Sequence, residues 1–369
     1  MTDAVVIPGP AASERVAGLT VLERQALALS RAGARVTVVT ADPALARLGA
    51  RVGARVADPL DAGAPGASAA ALVVDQDLVF DVAFARRALA KGGRIADVTP
   101  GEGPGDGLRL PAGTAAERVA ARRALFRSLT KPSDGPVSRL LNRPMSLSVT
   151  RLLLDTSVTP NQMTIVSTVI GAIGVYLVFL GGWGAVAAGA GLVHLQSVLD
   201  GTDGEIARLK FQTSRFGEWL DNVLDDQLNA TYALALGFAA SAASGRPLWR
   251  WLAIASLVAI TVYNAVLYHQ LAVVHGSGNP FHFRWWFQKD GADLTTTFAR
   301  PTPAMRVAAF FRALVRRDVF LLAFFGLALV DLVPVAVIWY AILAFGHFLM
   351  TLAHLANGGM PRPAPRSAP

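Results

Sequence analysis

Hydrophobic positions along the chain fall into two regimes. Up to about residue 130, short apolar runs alternate with stretches of helical spacing: Ala4 to Ile7, a helix around Val21 to Ala32, Arg35 to Thr40, a helix near Pro43 to Leu48, Ala71 to Val74, and a helix from Val82 to Lys91. Such alternation predicts a Rossmann-like α/β domain, a mostly parallel sheet with helices on both faces. Beyond Thr159 the apolar runs lengthen to the thickness of a bilayer, and six segments can span: 162–181, 184–200, 216–241, 249–273, 317–333 and 335–356. The second and fifth are short. Between the two regimes, Ala115 to Leu129 reads as an Arg-rich amphipathic helix leading toward the bilayer, and Val137 to Leu154 alternates Arg with Leu and Val as an interfacial helix does. Thr159-Pro160-Asn161-Gln162 supplies an N-cap for the first span. The expected organisation is a soluble α/β domain over 1–130, a juxtamembrane helix over 131–160, an α-helical integral membrane domain of six transmembrane helices over 161–357, and a disordered Pro/Arg tail over 358–369.

Composition agrees with a membrane protein: 53% of the 369 residues are hydrophobic. The absence of cysteine excludes disulfides, thiolate metal sites and a cysteine nucleophile. The N-terminus lacks the basic-then-apolar pattern of a secretory signal. A net charge of +8 is concentrated where a cytoplasmic N-terminus requires it, with Arg139, Arg143 and Arg151 before the first span, Arg208, Lys210 and Arg215 after the second, and Arg284 to Arg317 after the fourth. A turn holding Arg246 and Arg250 dissents. Six spans then leave both termini cytoplasmic, in the inner or plasma membrane. Nucleic acid is not an expected partner, because the basic residues are not interleaved with stacking aromatics on one module. The run Phe281 to Phe287 reads as an interfacial aromatic belt.

Carboxylates interrupt the apolar pattern at one place. Asp200 and Asp203 are spaced i, i+3, and Asp221 and Asp225 i, i+4, so each pair shares a helix face and two facing helices can converge their oxygens. Acids near hydrocarbon are costly unless they surround a hard divalent cation. The full pattern, Asp200, Asp203, Gly204, Ala207, Arg208, Gly217, Asp221 and Asp225, resembles the signature of the CDP-alcohol phosphotransferases, membrane enzymes that build phospholipids from a CDP-activated alcohol, and no position of it is missing.

The resemblance implies that Asp200, Asp203 and Asp221 bind metal, with Asp225 completing a second metal or acting as base toward an acceptor hydroxyl. It implies two divalent cations, Mg2+ or Mn2+, a CDP-alcohol donor, an alcohol acceptor, membrane lipids, and a homodimer. Gly204, Gly217 and Ala207 lack bulk, which lets helix backbones and the nucleotide come close. Arg208 suits the donor diphosphate, the alternative being a snorkelling interfacial arginine. The Lys-Pro-Ser-Asp-Gly-Pro-Val-Ser-Arg stretch from Lys131 and the Thr-Pro-Asn-Gln of residues 159–162 are similar to the branch that couples inositol phosphate, often fused to a nucleotidyltransferase domain. A phosphorylated acceptor needs further cations, and Lys131, Arg139, Arg143, Arg316 and Arg317 stand where they are wanted, although positive-inside anchoring explains them equally well.

The N-terminal domain bears a partial resemblance to sugar-phosphate nucleotidyltransferases, in Leu22 to Val39 and in Val73-Val74-Asp75-Gln76-Asp77. That family opens with a Gly-rich, basic triphosphate loop, whereas this chain has Pro8-Gly9-Pro10-Ala11-Ala12-Ser13-Glu14-Arg15. Prolines remove amide donors and stiffen the loop, which favours a degenerate, non-catalytic domain. Two alternatives lie within the family, a phosphatidylglycerophosphate- or phosphatidylserine-type synthase and a bifunctional enzyme with an active cytidylyltransferase domain. A third lies outside it, a transporter whose acids line a cation path. His194 and Gln196 on the second span read as ties to a neighbouring helix, and Glu205 and Asp226 flank the pattern without belonging to it.

Overall fold

A computed structural model describes residues 2–59, 72–99, 107–130, 134–275, 278, 283–287 and 313–359, which divide into two compact units. The first unit comprises Met1–Leu129 together with Leu152–Ser157 and Arg208–Phe211. Its strands are Asp3–Val6 (β1), Arg15–Val16 (β2), Leu19–Thr20 (β3), Arg35–Val39 (β4), Arg55–Ala57 (β5), Leu72–Val74 (β6), Leu78–Phe80 (β7), Gly93–Arg94 (β8) and Arg109–Pro111 (β9). Five of them form a parallel sheet in the order β5-β4-β1-β6-β8, as the strand and helix alternation predicts. Val21–Arg31 (α1), Pro43–Arg51 (α2) and Val82–Lys91 (α3) are its helices, each opened by a residue whose side chain accepts from the first turn: Thr20, Asp42 and Asp81. Ala4, Val6, Val36, Val38, Leu72 and Val74 bury against Leu22, Leu29, Phe84 and Ala88.

Ala115–Ser128 (α4) is helical as expected; it packs on β2 and β9 and buries Ala121, Leu125 and Phe126 in the first unit. Arg24 is buried there as well, donating to the carbonyls of Val16 and Ala17 and lying 5.9 Å from the Phe211 ring centroid. Burial pushes its pKa down to about 9, against the pull of Glu23.

The second unit is helical. A π-helical turn, Ser138–Asn142, leads into Arg143–Leu153 (α5), and then come Pro160–Leu180 (α6), Trp183–Leu209 (α7), Arg215–Ser244 (α8), Leu248–Gln270 (α9), Arg317–Leu329 (α10) and Val333–Ala356 (α11). Thr159 opens α6 through a capping box with Gln162, with Pro160 in the first turn. Among the described residues three helices are long and apolar enough to cross a membrane: Pro160–Leu180, Leu248–Val273 and Val333–Ala356. The other expected spans are helical too, but α7 and α8 carry the acidic pattern and α10 has only 13 residues.

α8 packs against α6, α9 and α11, and Val186, Ala190 and Val193 of α7 join the same core. α6 and α7 approach closely at glycines: a Cβ on Gly174 would lie 2.7 Å from the Gly189 carbonyl oxygen. The disordered tail expected from 358 falls, beyond Gly359, outside the described residues, as do Phe281 and His282 of the aromatic belt. Within the belt's described part, the Trp286 amide donates to Nδ1 of buried His354 (3.2 Å).

Candidate metal centre and cavity

α7 and α8 each present acids on one face, and packing brings three of the four together. Asp200, Asp221 and Asp225 each offer an oxygen within 4.8 Å of the others. Asp203, one turn beyond Asp200, is not in this group. Its carboxylate accepts from Thr164 of α6 and from the amide of Gly204, a neighbour that the spacing of acids alone could not foretell.

Arg317, at the first residue of α10, enters the cluster. It donates to Asp225 through both terminal nitrogens, one bond measuring 2.9 Å, and to Asp200 at 3.2 Å. One guanidinium offsets one of the three negative charges and leaves two. Oδ1 of Asp200 and Oδ1 of Asp221 are buried with no hydrogen-bond partner. Buried carboxylate oxygens left without donors cost kilocalories unless a cation takes them up. Hard oxygen donors on two helices, two uncompensated charges and orphaned lone pairs therefore fit a divalent ion such as Mg2+ or Mn2+.

Beside the cluster lies a cavity of about 620 Å3 lined by Asp200, Arg143, Arg316, Arg317, Ser146, Ser197 and other residues. Three of the five cationic residues singled out from the sequence thus share one wall with a candidate metal ligand. Arg139 is exposed and is not among the lining residues, and Lys131 lies outside the described residues. Arg316 bonds Asp318 (3.2 Å), which also accepts from the Ser138 amide (2.8 Å).

Arg143 is held most firmly. It grips Asp134 with two bonds of 3.0 Å and Glu205 with one of 2.8 Å. Glu205, fully buried, also accepts from Ser146 (2.7 Å) and Thr150 (2.5 Å). Burial alone would lower the Arg143 pKa, but the two carboxylates outweigh it and raise it. Sequence reading passed over Glu205. The signal available was Arg143, Ser146 and Thr150, donors at i, i+3 and i+7 on one helix face, which suits a shared acceptor.

Gly217 and the end of α7 complete the pattern. The amide of Gly217 donates to Ser214, the N-cap of α8 (3.0 Å), and a Cβ there would meet Asn161 Oδ1 at 2.9 Å, so only glycine fits without displacement. Ala207 is buried and Arg208 half-buried in the last turns of α7.

In the first unit the sheet's topological switch point falls between β1 and β6, the place where open α/β sheets bind ligands. There the Ala11 amide donates to Asp77 (3.0 Å), the Ala12 amide to the Gly9 carbonyl (3.1 Å) and the Glu14 amide to the Ala11 carbonyl (3.0 Å). Asp75 is paired with Arg94. The loop spends these amides on itself and on Asp77.

Comparison with known proteins gives the family. Residues 157–343, half of the chain, match the family model described as CDP-alcohol phosphatidyltransferase. A protein of Thermococcus kodakarensis named bifunctional IPC transferase and DIPP synthase is 37% identical over 146 residues, 39% of this chain and 32% of that protein. Proteins of the same name from Aquifex aeolicus and Rubrobacter xylanophilus are 38% and 40% identical, over 28% and 31% of this chain and 23% and 27% of theirs. The chain thus matches about a third or less of the length of these relatives.

Proposed function

The chain belongs to the CDP-alcohol phosphatidyltransferase family, and from that premise we propose that it transfers a phosphoalcohol group from a CDP-alcohol to the hydroxyl of an inositol-phosphate-like acceptor, releasing CMP in phospholipid biosynthesis. The observation that carries this reading is the convergence of Asp200, Asp221 and Asp225 beside a cavity walled by Arg143, Arg316 and Arg317. The acceptor oxygen attacks the phosphorus that bears the donor alcohol, the bond from that phosphorus to the bridging oxygen of CMP breaks, and CMP leaves with the electron pair.

Two divalent cations held by Asp200, Asp203, Asp221 and Asp225 would supply positive charge for the donor phosphates and the leaving oxygen. Asp203 joins that set by turning away from Thr164. Asp225 takes the acceptor proton or completes the second ligand set. Arg316 and Arg317 hold the acceptor phosphate, Arg143 shapes the wall, and Arg208 faces the donor diphosphate, with Gly204, Ala207 and Gly217 keeping its path open. Lys131 and Arg139 belong to the same acceptor set in this reading.

The protein is a homodimeric integral membrane enzyme of the inner or plasma membrane, with six spans and both termini cytoplasmic. Three apolar helices and the positive-inside pattern support that reading. The first unit is a non-catalytic relative of nucleotidyltransferases, supported by the amides committed within residues 9–14. The name of the relatives favours a second reading in which the chain also consumes CTP. Purified full-length protein is given Mg2+ with a panel of CDP-alcohols and acceptors. Metal-dependent CMP from one pair, lost in Asp221→Asn and Asp225→Asn, supports transfer; CTP consumption with a sugar or inositol phosphate would restore the second reading. Silence across the panel from folded, metal-binding protein moves the balance to a cation path.

A further inference from the structure

Gln196 sits one turn before Asp200 on α7, is fully buried, and is shared by two other helices. Its Nε2 donates to Oδ1 of Asp225 on α8 (3.0 Å), and its Oε1 accepts from Nη2 of Arg317 on α10 (2.9 Å). The same Nη2 donates to Asp225 Oδ1 (2.9 Å), while Nη1 serves Asp225 Oδ2 and Asp200 Oδ2. Amide, carboxylate and guanidinium thus close a ring.

We propose that Gln196 is a positioning residue for Asp225, fixing the plane of its carboxylate so that Oδ2 faces the other acids; the inference rests on the carboxylate cluster being the site of phosphoryl transfer. The torsion that turns an aspartate carboxylate is broad and two-fold, so its plane is set by the donors that reach it. Arg317 spans both oxygens of Asp225, but its Nη1 is divided between Asp200 and Asp225 and its Nη2 between Asp225 and Gln196. Gln196 adds a donor to Oδ1 from a different helix and anchors the Nη2 that serves the same oxygen, so the carboxylate and the guanidinium are held together.

Only an amide satisfies both neighbours. A carboxylate at 196 would keep the bond to Arg317 but set a second negative charge about 3 Å from Asp225. A hydrocarbon of the same volume would fill the space and supply neither donor nor acceptor. A purely structural tie between helices would respond differently. Losing it would lower the unfolding temperature without touching turnover or metal affinity.

The test uses full-length protein in detergent, comparing wild type with Gln196→Met and Gln196→Glu. Measured are kcat, KM for the CDP-alcohol, the unfolding temperature, and Mn2+ affinity without substrates from the electron paramagnetic resonance signal of free Mn2+. The expected result for Gln196→Met, which loses the bonds to both Asp225 and Arg317, is a fall in kcat of roughly tenfold or more, with KM within about twofold and Mn2+ bound several-fold more weakly. Gln196→Glu is expected to lose more in kcat at a comparable unfolding temperature. Wild-type kcat and Mn2+ affinity in Gln196→Met, or a change confined to the unfolding temperature, overturns the inference. A wild type that releases no CMP and binds no Mn2+ overturns the reading of the site itself, which distinguishes the two failures.

Discussion

Replacing Arg143 by Met takes away the cation that Asp134 and Glu205 share. The two carboxylates have side chains only 8% and 0% exposed, and Arg143 supplies two bonds to the first and one to the second. Glu205 would retain Ser146 and Thr150, so it loses one charged donor of three. Breaking a buried pair by removing one partner costs about 3–5 kcal/mol. At roughly 2 °C per kcal/mol for a large chain, the unfolding temperature in detergent should fall by about 6–10 °C. Glu205→Gln keeps the volume and both hydroxyl contacts, and should cost less, about 1.5–3 kcal/mol for one charged hydrogen bond. The double variant completes a cycle whose coupling should exceed about 1 kcal/mol, since the two side chains touch. Thermal unfolding followed by tryptophan fluorescence reads all four proteins. Single changes below about 1 kcal/mol, or additivity within about 0.5 kcal/mol, would refute the reasoning that this network seats α5 on α7.

Asp221→Asn should reduce metal-dependent CMP release by about a hundredfold or more while leaving the unfolding temperature unchanged or higher, because it relieves repulsion among three clustered acids; calorimetry beside a CMP assay checks both. Thr164→Val removes one of the donors that hold Asp203, leaving the Gly204 amide, and should cost about 1.5–3 kcal/mol, read by thermal unfolding. Gly174→Ala places a methyl 2.7 Å from the Gly189 carbonyl oxygen and should destabilise by about 1–3 kcal/mol, whereas Gly184→Ala, with open space around it, should be silent in the same measurement.

Periodicity in the sequence determined much of the local structure. The helix expected over Val82 to Lys91 and the strands at Arg35 and Leu72 stand where the alternation put them, because a half-buried strand or helix writes its own repeat into neighbouring residues. Thr159, Pro160 and Gln162 announced the start of α6 for the same reason, all partners lying within three residues. The spacing of Asp200, Asp203, Asp221 and Asp225, and the eight-residue pattern around it, sufficed to indicate the family. Tertiary structure alone decided which acids meet. Asp203 turned to Thr164, 39 residues away, Arg317 came to Asp225 across 92 residues, and Glu205 and Gln196 found partners 62 and 29 residues distant. Those pairings depend on how whole helices pack, and a lone acceptor such as Glu205 or Gln196 leaves no repeat along its own helix. The packing of α4 was decided in the same way, since its apolar residues do not say which strands they meet, and only the folded unit brings β2 and β9 to them.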